Sequence, residues 1–548
     1  MSYRYKEEKM NRNAGRLSSI KIRRTLSACA VGILLGSYAS AYAAKWTQVT
    51  NLAPSLDAPP SATGTMLLLT DGTVMVQGNP LNTWMRLTPS AKGSYADGTW
   101  SSLASMSTAR LYFASHILPS GKVWILGGEY SGAYLQQNIT NTGEIYDPVS
   151  NTWAPIAHHP DASFGDDPSM LVSGGQILAG SIFTNKTYLY DIASNTWSDG
   201  GTKVHLDRSD EESWAKVPGG NVVTYDIFES VDHSGQYAET YNPATNTWAS
   251  ISPSDGTALG SIPALSSVAL GYELGPLVRV RGYGSQGQIF AIGATGHTAL
   301  YSPATNTWTP GPDITDTLNG NSAFFGAADA PAAVMPNGHV LLAADASPTS
   351  GLFSAPTRIF DFDPVANTIT PVSPAPADPR LATTPSYFMR MLMLPTGEVL
   401  FSDKSRQLWI YTPDGNPQPS WRPVFANVKY SGGGVFTLQG VRMNGQSAGS
   451  AYGDDVETDE NYPIVQLQDA SGNVFYARTM NWSTTSLGNT GGETVDFTLK
   501  PGMAPGNYSA VVIGAGISSQ PRCMSITAGQ IQGTAAAANG ALTCKGPK

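Results

Sequence analysis

The sequence has no long amphipathic helix and little charge. No helical pattern extends beyond two turns, and charged residues make up only 13% of the 548 residues. Glycine and proline are abundant instead, with 57 and 38 residues. These features exclude a mainly α-helical protein and predict an all-β chain that is rich in turns.

A hydrophobic run long enough to span a bilayer is also missing. The apolar stretch over residues 26–35 is too short for a transmembrane helix. Basic residues at 21–24 precede it, and the small-residue pattern Ala41-Tyr42-Ala43 follows it. This order is typical of a signal peptide over residues 1–43 that is cleaved near Ala43. We therefore expect a secreted or periplasmic protein with no membrane span.

Positive charge is scarce once this leader is removed. Residues 1–43 contain eight Lys/Arg and two Asp/Glu, and the 24 basic and 39 acidic residues that remain give a formal charge of −15. So acidic a chain has no electrostatic reason to bind nucleic acid or an anionic membrane. We expect neither partner, and we expect a monomer.

Cysteine is nearly absent as well. Cys29 lies in the predicted leader, so the mature chain retains only Cys523 and Cys544, both near the C-terminus. In an oxidising compartment this favours one disulfide that fastens the C-terminal tail. Two unpaired thiols are the alternative.

What the sequence does contain is a repeat. An eight-residue phrase of the type Tyr-Asp-Pro-Val-Ser-Asn-Thr-Trp occurs five times, at residues 146–153, 190–197, 241–248, 301–308 and, in weaker form, 362–369. A turn glycine followed by an apolar strand precedes most copies. Short strands that repeat about every 50 residues indicate a β-propeller, whose small sheets stack radially to bury their faces. The Asn-Thr pair suits a turn, and the aromatic residues suit packing between adjacent blades.

The strand count predicts seven blades, with spans 58–105, 106–157, 158–202, 203–254, 255–312, 313–373 and 374–424. We expect a seven-bladed kelch-type β-propeller over residues 44–423, in which residues 45–49 close the ring by pairing with the seventh blade. Short strands without the repeated phrase follow, which predicts an immunoglobulin-like β-sandwich over residues 424–528. Residues 529–548 are rich in Gly and Ala and predict a flexible tail.

Two segments resemble the galactose oxidase and glyoxal oxidase family of copper radical enzymes. Residues 106–112, which lead into 121–128, are similar to the family segment with the cysteine-linked tyrosine. Residues 385–388 are similar to the segment in which a second tyrosine precedes a copper-ligand histidine. The resemblance implies the fold and places Tyr112 and Tyr387 at the copper site.

The other residues of that copper site are absent. Thr63 stands at the cysteine position, Phe388 stands at the histidine position, and no histidine occurs near residues 481–485, where the resemblance places a sandwich-loop ligand. We therefore expect no copper and no copper-radical oxidation. A divergent oxidase of this type remains an alternative.

The repeat predicts which residues surround the central mouth of the propeller, where the innermost strands begin. Counting nine residues back from each turn glycine, with neighbours one position away, gives a set of acidic and tyrosine side chains. The candidate catalytic residues are Tyr112, Asp166, Asp167, Glu211, Glu212, Asp329 and Tyr387. The candidate substrate-binding residues are Arg110, Glu273 and Arg390.

This acidic set has three interpretations that the sequence leaves open. Two carboxyl groups can serve as the acid and base, or the nucleophile, of a glycosidase. The oxygens can hold Ca²⁺, and no other cofactor is indicated. Alternatively, the carboxylates cap backbone N–H groups at the strand starts. We expect recognition or processing of an extracellular or cell-wall carbohydrate, by a hydrolase or lyase if the protein is an enzyme. An adhesive or envelope-associated binding module without catalysis is the alternative.

Overall fold

The computed structural model describes residues 43–56, 62–132, 136–233, 235–251, 259, 262–281, 287–373, 375–452, 461–538 and 544. The predicted signal peptide, up to residue 42, lies outside these residues, as does most of the chain after residue 538. Within the described ranges, no helix is long and apolar enough to cross a membrane.

Seven antiparallel sheets form the blades of a propeller, as predicted. The strands of the first three blades are, for the first, Met66–Leu68, Val74–Gln77, Trp84–Thr88 and Thr99–Leu103; for the second, Ala114–Ile117, Val123–Leu126, Gly143–Asp147 and Thr152–Pro155; and for the third, Ser169–Val172, Gln176–Ala179, Lys186–Asp191 and Thr196–Thr202. The fourth blade has Trp214–Lys216, Val222–Tyr225, Ala238–Asn242 and Thr247–Ser250, and the fifth has Leu274–Val280, Gln288–Gly293, Thr298–Ser302 and Thr307–Pro310. The sixth has Ala332–Val334, Val340–Asp345, Thr357–Asp363 and Thr368–Pro371, and the seventh has Arg390–Met393, Val399–Ser402, Trp409–Thr412 and Lys45–Gln48. The first strands of neighbouring blades lie side by side around one axis.

The ring is closed by the N-terminal strand of the described chain. Lys45–Gln48 pairs antiparallel with Trp409–Thr412, and Trp46 lies opposite Tyr411. The prediction of a closing strand at this position is confirmed. The seventh blade is therefore assembled from the two ends of the propeller sequence, which leaves no open sheet edge at the joint.

The repeated phrase connects the second, third and fourth blades to the blade before each of them. Its asparagine adopts a left-handed backbone at Asn151 (φ 54°) and at the equivalent Asn195, Asn246, Asn306 and Asn367. The Asn151 side chain accepts hydrogen bonds from the Tyr146 hydroxyl (2.8 Å) and from the Ala104 N–H of the preceding blade (2.9 Å). Trp153 Nε1 donates to the Ala104 carbonyl at 2.9 Å. The tyrosine, asparagine and tryptophan thus tie adjacent blades together, as the sequence indicated.

Short elements decorate the blade edges. The small strands are Arg110–Leu111, Tyr130–Ser131, Gln136–Gln137, Thr315–Leu318 and Asn321–Phe324. The helices and 3₁₀ turns are Ile227–Asp232, Ser347–Ser350, Ala528–Ile531, Val268–Leu270, Pro379–Ala382, Ser386–Phe388 and Pro419–Trp421. None of these helices exceeds two turns.

A β-sandwich follows the propeller. Its strands are Val424–Gly432, Val435–Val441, Ile464–Gln468, Val474–Met480, Glu493–Thr498, Gly506–Gly514, Ile517–Ser518 and Arg522–Ile526. Val474–Met480 pairs with Ile464–Gln468 through its first half and with Glu493–Thr498 through its second, so it connects the two sheets. Cys523 and Cys544 form the expected disulfide.

The chain beyond residue 528 begins with ordered contacts, although the sequence predicted a flexible tail. Thr527 and Gln530 form a capping box at the start of the helix Ala528–Ile531. Ile531 and Ala535 pack against the hydrophobic core of the sandwich. The Ala538 N–H donates to the Tyr430 carbonyl at 3.0 Å. Residues 528–538 therefore lie on the sandwich surface.

The sandwich covers the end of the propeller where the hairpin turns lie. At Gly72 (φ 72°), a Cβ atom would approach the Tyr476 ring to 2.3 Å, so only glycine permits this contact. The Tyr462 hydroxyl bonds the Leu68 carbonyl, and the apolar core continues from the first blade into the sandwich. Among the described residues, these sandwich contacts lie at the hairpin-turn end and not at the opposite end, where the first strands begin.

One sandwich segment enters the propeller along its axis. Ser450–Ala451 pairs with the first strand of the sixth blade, with Ala451 opposite Ala332. The Ala448 N–H donates to the Arg279 carbonyl of the fifth blade at 3.0 Å. We call residues 448–452 the axial segment. It runs towards the mouth and delivers Tyr452 there.

Candidate functional site

Five blades place a non-glycine residue with a left-handed backbone two or three positions before the first strand. These residues are Tyr112 (φ 53°), Asp166 (φ 55°), Glu211 (φ 63°), Tyr272 (φ 69°) and Asp329 (φ 47°). Such a conformation is uncommon for residues other than glycine and tends to occur at functional sites. Its repetition around one axis defines the central mouth as the candidate site.

The acidic pairs of the third and fourth blades divide between the mouth and the interior. Asp166 and Glu211 are partly exposed, whereas Asp167 and Glu212 are completely buried. Glu212 pairs with Lys203 and accepts a bond from Trp214 Nε1 at 3.1 Å. Only the first member of each pair is accessible to a ligand.

Three carboxylates from different blades meet at the mouth. Oxygen atoms of Glu211, Glu273 and Asp329 lie within 4.8 Å of one another. Like charges at this separation disfavour full ionisation unless a proton or a cation lies between them. An all-oxygen donor set is the type that a hard cation such as Ca²⁺ prefers, and these three residues would hold it.

Aromatic rings also lie at the mouth. The ring centroids of Tyr112 and Tyr130 lie 6.1 Å apart, and Tyr387 contacts Phe353 at 4.7 Å. Burial and then the neighbouring Asp329 raise the pKa of Tyr387. Burial, followed by the charges of Glu129 and Asp166, raises the pKa of Tyr130. The tyrosines and the carboxylates therefore belong to one electrostatic environment.

Lys404 is a mouth residue that the sequence analysis missed. It is 2% exposed and has a left-handed backbone (φ 62°). Its Nζ donates to the Tyr112 hydroxyl oxygen at 3.0 Å. The same atom lies 5.1 Å from the Phe388 ring centroid and 5.7 Å from that of Tyr387. A positive charge is thus enclosed by three aromatic rings.

Arg390 and Tyr452 support this aromatic region from below. The Arg390 guanidinium lies 3.7 Å from the Tyr452 ring centroid and donates to the Tyr387 carbonyl at 2.8 Å. The Tyr452 hydroxyl donates to the same carbonyl at 2.9 Å. Arg390 and Tyr452 are 3% and 2% exposed, so both position Tyr387 rather than face a ligand.

Arg110 is buried in contacts within its own blade, whereas the sequence predicted that it binds substrate. It is 1% exposed, and its guanidinium donates to the carbonyls of Gly127 (2.8 Å) and Thr142 (2.7 Å). Its NH2 group pairs with Glu144 at 3.5 Å. These contacts give Arg110 a structural role within the second blade.

The resemblance predicted that the sandwich loop at residues 481–485 approaches the mouth, and this is wrong. Residues 481–485 lie at the turn end of the propeller, where the Asn481 N–H donates to the Pro119 carbonyl and Lys216 Nζ donates to the Thr485 carbonyl at 3.2 Å. The axial segment reaches the mouth instead. Thr63, at the position expected for a cysteine, is fully buried and bonds Ser402 Oγ at 2.8 Å.

A small cavity lies on the axis below the mouth. It measures about 50 Å³ and is lined by the axial segment and by inner-strand residues that include His116, Lys216 and Arg279. Burial lowers the pKa of His116 to about 3, and its Nε2 lies 2.8 Å from Ser169 Oγ. The space suits a few water molecules and is too small for a sugar ring.

Comparisons with known proteins agree with the repeat. Residues 110–160 match the Kelch motif. The F-box/kelch-repeat protein At5g03020 of Arabidopsis thaliana is 39% identical over 62 residues, which is 11% of this chain and 17% of that protein. The chain therefore spans less than a fifth of that relative. The match supports a kelch repeat and carries no information about activity.

A solved structure of similar extent is described as a novel fungal alcohol oxidase with catalytic diversity among the AA5 family, in complex with copper. It is 15% identical, with a TM-score of 0.47, and the similarity covers 87% of this chain and 100% of that chain. At this level, its activity does not transfer to the present protein.

Proposed function

We propose that this chain is an exported propeller protein that recognises or processes an extracellular or cell-wall carbohydrate at its central mouth. The observation that carries the proposal is the meeting of carboxylates and tyrosine rings from different blades in one place. The carboxylates are Glu211, Glu273 and Asp329. The rings are those of Tyr112 and Tyr387, of which Tyr387 is influenced by the charge of Asp329.

This combination suits a polyhydroxylated ring. Carboxylates accept hydrogen bonds from sugar hydroxyls, and tyrosine offers both a flat apolar face and a hydroxyl group. Ligand sites generally combine an apolar wall with a few directed polar groups, which is the composition of this mouth. The carboxylates also suit a ligand that carries a positive charge.

The same residues supply the groups that glycoside chemistry needs. A retaining glycosidase uses two carboxyl groups about 5 Å apart, one as nucleophile and one as acid and base. Glu211, Glu273 and Asp329 provide carboxyl pairs at this scale, with oxygens within 4.8 Å. Tyr112 and Tyr387 would orient the substrate. A hydrolase or lyase is therefore the enzymatic form of the proposal.

The carboxylate cluster also favours a second candidate, which is calcium-dependent binding without catalysis. An ion held by Glu211, Glu273 and Asp329 would bind sugar hydroxyls directly. In that case, chelation would abolish binding, and no product would form. Product analysis therefore distinguishes the two forms.

The test is to incubate the protein, without its leader, with insoluble and soluble polysaccharides, and to measure the bound fraction and the released products. Glu211→Gln and Tyr387→Ala should weaken binding at least about tenfold, because each loss of about 1.4 kcal/mol changes affinity by that factor. Glu398→Gln, at the turn end of the seventh blade, is the matched control and should bind normally. Binding that both mouth variants leave unchanged would refute the proposal.

A further inference from the structure

The ammonium group of Lys404 lies between three aromatic side chains of the mouth. Its Nζ lies 3.0 Å from the Tyr112 hydroxyl oxygen and 4.7, 5.1 and 5.7 Å from the ring centroids of Tyr112, Phe388 and Tyr387. Tyr112 comes from the second blade and the other residues from the seventh. The positive charge therefore joins the two sides of this region.

The position is the one that the resemblance assigns to copper, because Tyr112 and Tyr387 correspond to the two tyrosines of that family. The residues present do not fit the metal. The phenyl ring of Phe388 has no donor atom, and Lys404 already holds a positive charge 3.0 Å from the Tyr112 oxygen. A second cation at that oxygen would be repelled by the ammonium group.

We propose that Lys404 is the internal cation of the mouth and that its ammonium group takes the place of a metal ion among Tyr112, Tyr387 and Phe388. The lysine acts as a positioning residue for these rings. This inference concerns the architecture of the mouth and does not depend on the proposed carbohydrate ligand.

The backbone around Lys404 is built to hold this side chain. The Lys404 N–H donates to Ser402 Oγ at 3.0 Å, and its carbonyl accepts the Ala62 N–H at 2.9 Å. Its left-handed φ of 62° is a conformation that most residues avoid. The joint between the first and seventh blades thus maintains the strained residue whose side chain enters the mouth.

The hydrogen bond has a fixed direction. An ammonium group only donates, so the Tyr112 oxygen must accept this bond and its own proton points away from Lys404. The positive charge also stabilises negative charge on that oxygen. Lys404 therefore sets Tyr112 as a directed donor to the rest of the mouth.

Chemical rescue tests this role. Lys404→Ala removes three carbons and the ammonium group, which together equal n-propylammonium. We expect the variant to melt several degrees below the wild type, and n-propylammonium to restore part of the loss. The neutral analogue 1-propanol should not restore it, because the site requires positive charge. Lys122→Ala, which removes a partly exposed lysine paired with Asp147, should not respond to either compound.

A copper titration of the wild-type protein provides an independent test. We expect no tight one-to-one binding and no phenolate-to-copper absorption band. A band that Tyr112→Phe abolishes would overturn the proposal, because it would show that the cation position is open to a metal. A Lys404→Ala variant that is as stable as the wild type and insensitive to n-propylammonium would also overturn it. If that variant folds only with n-propylammonium present, the proposal is supported; if it does not fold at all, the copper titration decides.

Discussion

Two lysines, Lys203 and Lys404, are equally buried at 2% exposure but contact different kinds of side chain. Lys203 lies among carboxylates, since its Nζ pairs with Glu212 and lies 3.3 Å from Asp226 Oδ1. Lys404 lies among aromatic rings in the mouth. The same cation is thus accommodated by charge in one place and by π-faces in the other.

The carboxylate surroundings have a structural role in the fourth blade. Glu239 accepts the N–H groups of Val204 and His205 and so ties the connection from the third blade to the fourth. Burial alone would lower the pKa of Lys203, but Glu212 and Asp226 outweigh it and hold the pKa well above its usual range. Removing Lys203 would leave buried negative charge uncompensated. The rings of Tyr112, Phe388 and Tyr387 near Lys404 are uncharged, so we expect its replacement by an apolar residue of similar size to cost less.

The largest expected effect comes from Lys203→Met. Breaking a buried charge network by removing one partner costs about 3–5 kcal/mol, so we expect the free energy of unfolding to fall by that amount. Denaturant unfolding at pH 7.5 measures it. Lys122→Met, on a partly exposed lysine, should change stability by less than about 0.5 kcal/mol. Equal stabilities of the two variants would contradict the assigned role.

The pH dependence of stability gives the next effect. Burial, followed by the charge of Asp226, raises the pKa of Glu239 to about 7, so the folded protein binds a proton that the unfolded chain releases. That contribution is complete below the unfolded value of 4.5 and is lost as the pH rises through about 7. Relative to Glu239→Gln, the wild type should lose on the order of 1–2 kcal/mol between pH 5 and 8.

Unfolding of both proteins at several pH values checks this difference. Burial lowers the pKa of His159 to about 4, so this histidine makes the folded protein less stable as the pH falls below 6.5. Both proteins contain His159, and the difference between their profiles therefore removes its contribution. Parallel profiles for the wild type and Glu239→Gln would show that this carboxyl group does not take up a proton on folding.

A smaller loss is expected from Lys404→Met. This change keeps the side-chain volume and removes the charge, so it loses the hydrogen bond to Tyr112 and the cation–π contacts, about 1–2 kcal/mol in total. Denaturant unfolding of this variant and of Lys203→Met under the same conditions compares how much each lysine contributes to the free energy of unfolding. A loss equal to that of Lys203→Met would mean that the aromatic surroundings are no more tolerant than the carboxylates.

The smallest effect is expected from Tyr452→Phe. It removes the hydrogen bond to the Tyr387 carbonyl but keeps the ring on which Arg390 stacks. We expect a loss of about 0.5–1.5 kcal/mol, because Arg390 still donates to the same carbonyl. Thermal unfolding of this variant beside Tyr452→Ala separates the hydroxyl from the ring. If the phenylalanine variant is as unstable as the alanine variant, the ring stacking contributes little.

The sequence predicted the mouth where the repeat is regular. Tyr112, Asp166, Glu211 and Asp329 share one offset and one backbone conformation, because the turn glycine keeps a constant distance from the strand start. The roles of these residues stay predictions. The seventh blade has a 3₁₀ turn at Ser386–Phe388 before its first strand, and it lacks the left-handed residue that five blades share.

Other features required three-dimensional information. Glu211 has a left-handed backbone and is partly exposed at the mouth, whereas the next residue, Glu212, is buried, and no pattern in the sequence separates the two. Lys404 follows the second strand of its blade, outside the repeated offset. Tyr452 comes from the sandwich, and no local pattern shows that its segment runs through the propeller axis.

The strand Lys45–Gln48 has a consequence for the order of events during folding. Its partner Trp409–Thr412 is made some 360 residues later, so this pairing must wait for nearly the whole propeller sequence. The earlier blades can form local hairpins as soon as they are complete, since their own strands are close in sequence. Closing the ring joins the N-terminal strand of the propeller to its last blade, and nearby the Ala62 N–H donates to the Lys404 carbonyl. The mouth is therefore completed only when the ring is closed.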